Sequence, residues 1–195
     1  PISKLYFVAA GLILPNSEVL IKNVGINPTR AGLIKVCEAM GADLTLLNED
    51  HENAEPTADL LVRTSSLRGC VIEGDIIPTL IDELPTIAMM ACFAEGTTVI
   101  RDAAELKVKE SNRIAIMVEN LRAMGADVEE TEDGMIIHGG KPLHGAVVDS
   151  HKDHRIAMTF AVAALAADGE TEIIDADCVD ISYPAFYEEL KKLTK

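Results

Sequence analysis

The tetrapeptide Met40-Gly-Ala-Asp43 occurs twice in this chain, returning as Met124-Gly-Ala-Asp127. Each copy follows an amphipathic helical pattern, over residues 31–39 and 114–123, and each precedes a run of β-forming residues. The glycine in each copy suits the position just after a helix, where a left-handed backbone closes the last turn. The tetrapeptide therefore predicts a repeated helix–turn–strand unit.

A second pattern occurs three times along the chain. In each copy an alanine-rich helical segment meets a turn, and a β-branched strand, a loop and another helix follow. Because helices alternate with strands, this pattern indicates an α/β architecture with partly parallel sheets. Repeats of this size stack around a shared core, so we expect one domain, residues 1–195, made of three quasi-equivalent units. The helix–strand parts of the copies cover residues 5–24, 87–102 and 156–175.

The composition is acidic and poor in aromatic side chains. The formal net charge is −15, 48% of the residues are hydrophobic and 4% are aromatic. A nucleic-acid partner needs a basic surface and stacking side chains, so this partner is not predicted. A small anionic ligand in a locally basic pocket remains compatible with the charge.

No segment predicts a signal peptide or a membrane span. The longest helix-like apolar run, residues 156–167, is too short to cross a bilayer. We therefore expect a cytoplasmic protein with no membrane partner, and a chain that opens on Pro1 suggests a fragment of something longer. The cysteines are far apart and contain no CxxC pair, which predicts reduced thiols. They are Cys37, Cys70, Cys92 and Cys178.

Charged residues recur at the starts of the predicted helices. The densest group is Lys107-Val-Lys-Glu-Ser-Asn-Arg113, immediately before the helix at residues 114–123. Unpaired N–H groups at a helix start attract anions. If the three units pack side by side, their helix starts can point the same way and create a face of positive potential. The cations expected to reinforce this face are Arg30, Lys109, Arg113 and Arg155.

These residues suggest proton transfer beside bound anions. Arg113 and Arg155 can each bind a phosphate or carboxylate through two parallel N–H donors. Glu110 or Asp82 can serve as the general acid or base. The sequence has no glycine-rich phosphate loop, no metal-spaced His/Cys cluster and no GxSxG nucleophile, so no metal or other cofactor is predicted.

Each of these residues also has a purely structural interpretation. Asp82 and Asp153 can each cap a helix, the commonest role for an aspartate just before an apolar run. Glu110 and Arg113 are three residues apart and can form an ordinary ion pair on a helix surface. His154 and Arg155 can be a surface pair. The residues alone leave both interpretations open.

Five segments, taken together, resemble a known family. In order along the chain, they match the C-terminal half of the 5-enolpyruvylshikimate-3-phosphate synthases over essentially its whole length. The first segment resembles the type often called class II, in which glyphosate tolerance is common. The segments are Asn27-Pro-Thr-Arg30, Ile81-Asp-Glu-Leu-Pro85, Leu106-Lys-Val-Lys-Glu-Ser-Asn-Arg113, Asp153-His-Arg-Ile-Ala-Met158 and Ser182-Tyr-Pro184.

The resemblance implies a fold and a reaction. The fold is an enolpyruvyl transferase-like domain of three βαβαββ units, with helices inside and sheets outside. Ligands would bind in a cleft between this domain and an N-terminal domain absent from the chain. The reaction moves the enolpyruvyl group of phosphoenolpyruvate to the 5-hydroxyl of shikimate 3-phosphate and releases phosphate, with no metal required. Glyphosate would be a possible inhibitor, and this half alone would be inactive.

The resemblance also implies residue roles. Asp82 matches the proton acceptor near the shikimate hydroxyls, and Glu110 matches the acid that handles the methylene proton of phosphoenolpyruvate. Lys109 would bind the phosphate of shikimate 3-phosphate. The further substrate-binding positions are Arg113 and Arg155, which would clamp phosphoenolpyruvate, together with Glu105 and His154.

One departure and two alternatives accompany this assignment. Ile181 stands where some members carry a lysine that contacts phosphoenolpyruvate, so that contact is not expected here. A related transferase acting on a UDP-sugar is one alternative, although the Lys-Glu-Ser-Asn-Arg and Asp-His-Arg segments oppose it. A non-catalytic repeat module is the other, and the intact acidic and basic residues oppose that.

Overall fold

The computed structural model describes residues 4–27 and 32–192. Helices and strands alternate along this part of the chain. The helices are α1 Lys4–Ile13, α2 Gly32–Ala39, α3 Ile77–Leu80, α4 Leu84–Cys92, α5 Arg113–Ala123, α6 His154–Ala166 and α7 Phe186–Lys192. The strands are β1 Glu18–Gly25, β2 Asp43–Asp50, β3 Thr57–Arg63, β4 Val71–Ile72, β5 Thr97–Ile100, β6 Asp127–Glu130, β7 Met135–His138, β8 Val147–Asp149 and β9 Glu172–Ile174.

The strands form three sheets, one for each repeat unit. Their orders are β1-β3-β2, β4-β5-β7-β6 and β8-β9. Strands β4 and β5 are parallel, as are β8 and β9, and the remaining pairs are antiparallel. The middle unit, β4-α4-β5-α5-β6-β7, is a complete βαβαββ unit. Among the described residues the first unit starts at its first helix, and the third unit stops at its second helix. Helices and strands alternate in all three units, so the predicted mixed α/β repeat is confirmed.

The repeated tetrapeptide joins one unit to the next. The carbonyl oxygen of Met40 accepts a hydrogen bond from the backbone N–H of Arg68 at 2.9 Å, and that of Met124 accepts one from His144 at 2.9 Å. The glycines that follow the two methionines have φ of +80° and +91°, the left-handed conformation expected after a helix. The equivalent contacts show that the sequence repeat is a structural repeat.

The core lies between the first helices of the three units. Helices α1, α4 and α6 pack against one another, and every residue of α4 is buried. The strands carry exposed side chains on their outer faces; Leu20 of β1 and Val147 of β8, for example, are 48% and 58% exposed. The expected arrangement of helices inside and sheets outside is therefore observed. Among the described residues, no helix has both the length and the apolar character that a bilayer crossing requires.

Several predicted boundaries move in the structure. Helix α4 begins at Leu84 and not at residue 87, because Pro85 fits the first turn, where its missing N–H costs nothing. Helix α6 begins at His154, directly after Asp153. Of the segment Asn27-Pro-Thr-Arg30 only Asn27 belongs to the described residues, so the expectation for Arg30 lies outside them. The four cysteines are unpaired, as predicted.

Close packing at the β6–β7 turn gives a first testable prediction. A Cβ at Gly134 would lie 1.8 Å from the carbonyl oxygen of Ile100 in β5. We expect Gly134→Ala to lower the free energy of unfolding by about 2 kcal/mol, since relieving such an overlap moves backbone. Gly25→Ala is the matched control, because nothing lies within 4 Å of its added Cβ. Equal urea midpoints for the two variants would contradict this prediction.

Candidate active site

Charged side chains from three parts of the chain meet at the starts of α4, α5 and α6. Since α4 and α6 pack against each other and α5 packs against both, residues at their N-terminal ends come within ion-pair distance. We call this group the charged cluster. Its members are Asp82, Glu105, Lys109, Glu110, Arg113, Asp153, His154 and Arg155.

Arg113 is the buried centre of the charged cluster. It is the first residue of α5, one position before the predicted start of that helix at residue 114, and its side chain is 4% exposed. Its guanidinium donates to both carboxylate oxygens of Asp153, at 2.9 and 3.3 Å, and to Asp82 at 3.2 Å. Glu110 lies 3.8 Å away. Glu110 and Arg113 therefore form the predicted i, i+3 ion pair, but Arg113 is buried and its closer partners are Asp153 and Asp82.

Asp153 has two structural roles at once. Its Oδ1 accepts from the backbone N–H groups of Arg155 and Ile156, so it caps α6 as predicted. Its Oδ2 also accepts from the Ser111 hydroxyl at 2.7 Å and from Arg113. Burial raises the pKa of the Asp153 carboxyl, but the hydrogen bonds from Arg113 and Ser111 and the charge of Arg113 outweigh it, so the pKa lies below its usual 3.8.

Asp82 is not a helix cap. Glu83 occupies the N-cap position of α4, and no side chain bonds to the helix N–H groups there. Asp82 instead lies among three cations, 3.2 Å from Arg113, 3.9 Å from Arg155 and 4.0 Å from Lys109. Its side chain is 34% exposed, so the carboxylate is accessible from solvent. A carboxylate that is reachable from solvent can serve as a proton acceptor.

His154 pairs with Glu110 and not with its neighbour Arg155. The His154 Nδ1 lies 2.7 Å from Glu110 Oε2. When Glu110 is ionised, Nδ1 must carry the donated proton. The Glu110 side chain remains 40% exposed, so its carboxyl group is accessible from solvent. The interpretation of His154 and Arg155 as a surface pair is thus wrong.

Arg155 differs from Arg113 in the bonds that it makes. Its side chain is 15% exposed, and its closest carboxylate oxygen belongs to Asp82 at 3.9 Å. Within residues 4–27 and 32–192 its guanidinium makes no hydrogen bond of normal geometry to another side chain. Because its donors are not committed, Arg155 is better placed than Arg113 to bind an incoming anion.

Lys109 and Glu105 lie at the solvent-exposed edge of the charged cluster. Their side chains form an ion pair of 2.9 Å across one turn, and Glu105 is 58% exposed. The positive potential expected at these helix starts is therefore reduced by neighbouring carboxylates. Each described cation in the charged cluster already has carboxylates beside it, so an anionic ligand must compete with Asp82, Glu105 or Glu110 for its contacts.

The structure also brings together two carboxylates and an imidazole, a group that the spacing of these residues along the chain did not indicate. Glu110, Asp153 and His154 offer ligand atoms within 4.8 Å of one another. The Arg113 guanidinium lies 2.9 Å from Asp153 and 3.8 Å from Glu110. A divalent ion there would be repelled by this buried cation, so the group fits an ion-pair network and not a metal site.

The chain is similar to known proteins over nearly its whole length. Residues 1–190 match the family model described as EPSP synthase (3-phosphoshikimate 1-carboxyvinyltransferase). The 3-phosphoshikimate 1-carboxyvinyltransferase of Geobacillus kaustophilus is 54% identical over 193 residues, which are 98% of this chain and 45% of that protein. The structure of EPSP synthase from Acinetobacter baumannii superposes with a TM-score of 0.94 at 42% identity, covering 98% of this chain and 45% of that one.

A more distant structure gives the broader class. The enolpyruvyl transferase NikO from Streptomyces tendae is 23% identical and superposes with a TM-score of 0.79, over 98% of this chain and 42% of its own. The fold is thus that of the enolpyruvyl transferases. Within that class, the chain belongs to the EPSP synthase family. It spans about half the length of the curated relatives that it matches.

Proposed function

We propose that residues 1–195 are the C-terminal domain of an enzyme that transfers the enolpyruvyl group of phosphoenolpyruvate to the 5-hydroxyl of shikimate 3-phosphate. We further propose that an N-terminal domain is the partner of this domain, and that the chain is inactive without it. Family membership and the 45% coverage of the Geobacillus relative support it. The net charge of −15 favours no nucleic-acid partner, and the unpaired thiols favour the cytoplasm.

One observation carries this proposal. Two carboxylates and two guanidinium groups from three separate helix starts meet at one accessible point. Asp82 lies 3.2 Å from Arg113 and 3.9 Å from Arg155, while Glu110 lies 3.8 Å from Arg113. A reaction that moves protons between two anionic substrates needs such an arrangement of acids and anion-binding cations.

In the proposed first step, Asp82 accepts the proton of the 5-hydroxyl as that oxygen bonds to C2 of phosphoenolpyruvate. Glu110 donates a proton to the methylene carbon, which becomes a methyl group. Arg155 binds phosphoenolpyruvate through its uncommitted donors. Arg113 joins it as the substrate carboxylate or phosphate replaces Asp82 or Glu110 at its guanidinium. The product of this step is a tetrahedral intermediate.

In the second step the C–O bond to phosphate breaks, and phosphate leaves with the bonding electrons and takes the proton held by Asp82, which returns to its ionised form. Glu110 takes a proton back from the methyl group, and the C–H electrons restore the double bond. His154 holds the carboxyl group of Glu110 through their 2.7 Å contact. Lys109 would bind the phosphate of shikimate 3-phosphate, with Glu105 beside it. Glyphosate, also an anion, would compete for Arg113 and Arg155.

Reconstitution tests the proposal. This chain is mixed with the N-terminal half of the Geobacillus kaustophilus relative, and phosphate release from the two substrates is measured. We expect activity in the mixture and in neither half alone. Glu110→Gln should reduce it by roughly 100-fold, because it removes a general acid. Glu119→Gln, an exposed change on the same helix, is the control and should leave the rate unchanged. A mixture that folds and associates but releases no phosphate would refute the proposal.

The chain alone should bind phosphoenolpyruvate weakly. Arg113 and Arg155 are both present, whereas the rest of the clamp would come from the missing domain. We expect millimolar affinity in an NMR titration, with shifts at the starts of α5 and α6. Arg155→Ala should remove this binding, because Arg155 holds the uncommitted donors. Unchanged spectra at saturating millimolar ligand would contradict this prediction.

A further inference from the structure

Tyr6 places a polar group in an otherwise apolar helix face. It lies near the start of α1, and its neighbours on this buried face are Ala9 and Ala10, three and four residues further along the helix. The residue is 0% exposed, and its hydroxyl has no hydrogen-bond partner among the described residues. A buried hydroxyl without a partner is destabilising, and phenylalanine would fill the same space without that cost. The hydroxyl therefore calls for an explanation.

The surroundings of the hydroxyl point toward the charged cluster. Helix α1 packs against α6, whose second residue is Arg155. The Tyr6 ring makes an edge contact with the apolar ring of Phe186, with 5.6 Å between the ring centroids. Burial raises the pKa of Tyr6 to about 12, and the charge and side-chain contact of Arg155 act against this rise. The hydroxyl thus lies beside the guanidinium without a hydrogen bond of normal geometry.

Arg155 lacks a group that fixes its orientation. Arg113 is held by Asp153 through two hydrogen bonds, whereas the nearest carboxylate oxygen to Arg155 is 3.9 Å away. A guanidinium binds an anion well only when its planar donors are already directed at it. Two buried acceptors that sense the Arg155 charge have no hydrogen-bond partner among the described residues, the Tyr6 hydroxyl and Glu83 Oε2. Of these two, the Tyr6 hydroxyl is the one that also makes a side-chain contact with the guanidinium.

We propose that Tyr6 is a positioning residue for Arg155, whose guanidinium donates to the Tyr6 hydroxyl when an anion is bound and is thereby held in its binding orientation. The bond uses one donor at the buried side of the guanidinium and leaves the outward donors for the ligand. Tyr6 itself does not contact the ligand, because its hydroxyl is fully buried. The inference rests on the proposed function only for the identity of the anion.

The test compares Tyr6→Phe with the unmodified chain. Phosphoenolpyruvate and inorganic phosphate are titrated by NMR, and the Arg155 Nε–H signal is followed together with its exchange with water. We expect about fivefold weaker binding, equivalent to one net hydrogen bond, and faster exchange of the Arg155 signal in the bound state. The urea midpoint should stay the same or rise, since the substitution removes an unpartnered buried hydroxyl.

Two controls separate positioning from a structural role. Tyr187→Phe removes a hydroxyl that donates to the Ala176 carbonyl at 2.7 Å, so it should lower the midpoint and leave the affinity unchanged. In the reconstituted mixture, Tyr6→Phe should raise KM for phosphoenolpyruvate more than it lowers kcat. In the reconstituted mixture made with an Arg155→Ala chain, Tyr6→Phe should have no further effect on KM.

The outcomes are distinct. If the unmodified chain binds the anions and Tyr6→Phe binds them equally well, the inference is wrong and the proposed function stands. An equal rise in KM from Tyr6→Phe with and without Arg155 would also overturn it, because the effect would not pass through Arg155. If the unmodified chain binds neither anion, the inference fails for the isolated chain together with the predicted binding.

Discussion

Replacing Asp153 with alanine should lower the free energy of unfolding by about 4 kcal/mol. The substitution leaves Arg113, with a side chain 4% exposed, without its closest counter-charge. Asp82 remains at 3.2 Å but is partly solvated. Removing one partner of a buried ion pair costs about 3–5 kcal/mol, because the other charge stays buried. The substitution also removes the cap of α6, which is worth about 1 kcal/mol. Urea unfolding at pH 7 measures the sum.

Two further variants separate these contributions. Asp153→Asn keeps an oxygen that can cap α6 but loses the charge opposite Arg113, so its cost should be smaller than that of alanine. Combining Asp153→Ala with Arg113→Met removes the stranded charge, and the double variant should be more stable than Asp153→Ala alone. A loss below about 1 kcal/mol for Asp153→Ala would mean that only the cap matters and that Arg113 is stabilised elsewhere.

The fold followed from the sequence where local chemistry decides the structure. The glycines at positions 41 and 125 have the positive φ that the repeated tetrapeptide predicted. The alanine-rich segments became the central helices α1, α4 and α6, because small side chains allow close packing. The order β4-β5-β7-β6 was not predictable in the same way. Strand pairing depends on contacts between residues distant in sequence, and local propensity does not encode them.

The sequence predicted which residues belong to the candidate site, but not the hydrogen bonds and ion pairs between them. Asp82, Glu110, Arg113 and Arg155 were expected near helix starts, and the structure brings them together. The sequence offered a cap as the structural role of Asp153, because its other partner Arg113 is 40 residues away. Tyr6 gave no signal at all, since a tyrosine in an apolar helix is an ordinary core residue. Side-chain partners across units emerge only when the three helix starts meet.

The ion pairs of the charged cluster lead us to expect that this chain alone binds anions weakly. Arg113 is satisfied by Asp153, Asp82 and Glu110 in the absence of any anion. An entering anion therefore replaces carboxylates that are already in place, and the gain in binding energy is small for this half alone. A second domain that excludes water from the charged cluster would strengthen each contact with the anion. Weak binding by the chain and strong binding by the reconstituted protein follow from the same geometry.

Glu83 should make the protein less stable as the pH rises from about 4.5 to about 7. Its Oε2 is buried and has no hydrogen-bond partner in the described part of the chain. It borders a cavity of about 430 Å³ lined largely by apolar side chains such as Leu5 and Leu33. Lys4 lines the same cavity, but its ammonium group donates to backbone oxygens of β1. Burial therefore raises the pKa of Glu83 from 4.5 to about 7, with the Arg155 charge acting against it.

The sign of the effect follows from proton binding. Between pH 4.5 and 7 the folded protein holds a proton on Glu83 that the unfolded chain releases, so stability falls as the pH rises. The shift corresponds to about 3 kcal/mol by pH 8. Asp153 does not interfere, because its lowered pKa costs stability only as the pH falls below its ordinary 3.8.

Glu83→Gln removes this titration while nearly preserving the side-chain shape. Relative to the unmodified chain, the variant should gain about 3 kcal/mol of unfolding free energy between pH 5 and pH 8, whatever its absolute stability at pH 5. Urea unfolding at four pH values across this range measures the difference. Glu170→Gln, at an exposed glutamate, should instead run parallel to the unmodified chain. Parallel curves for Glu83→Gln as well would mean that Glu83 is ionised in the folded protein at pH 5, and that its buried oxygen has a counter-charge.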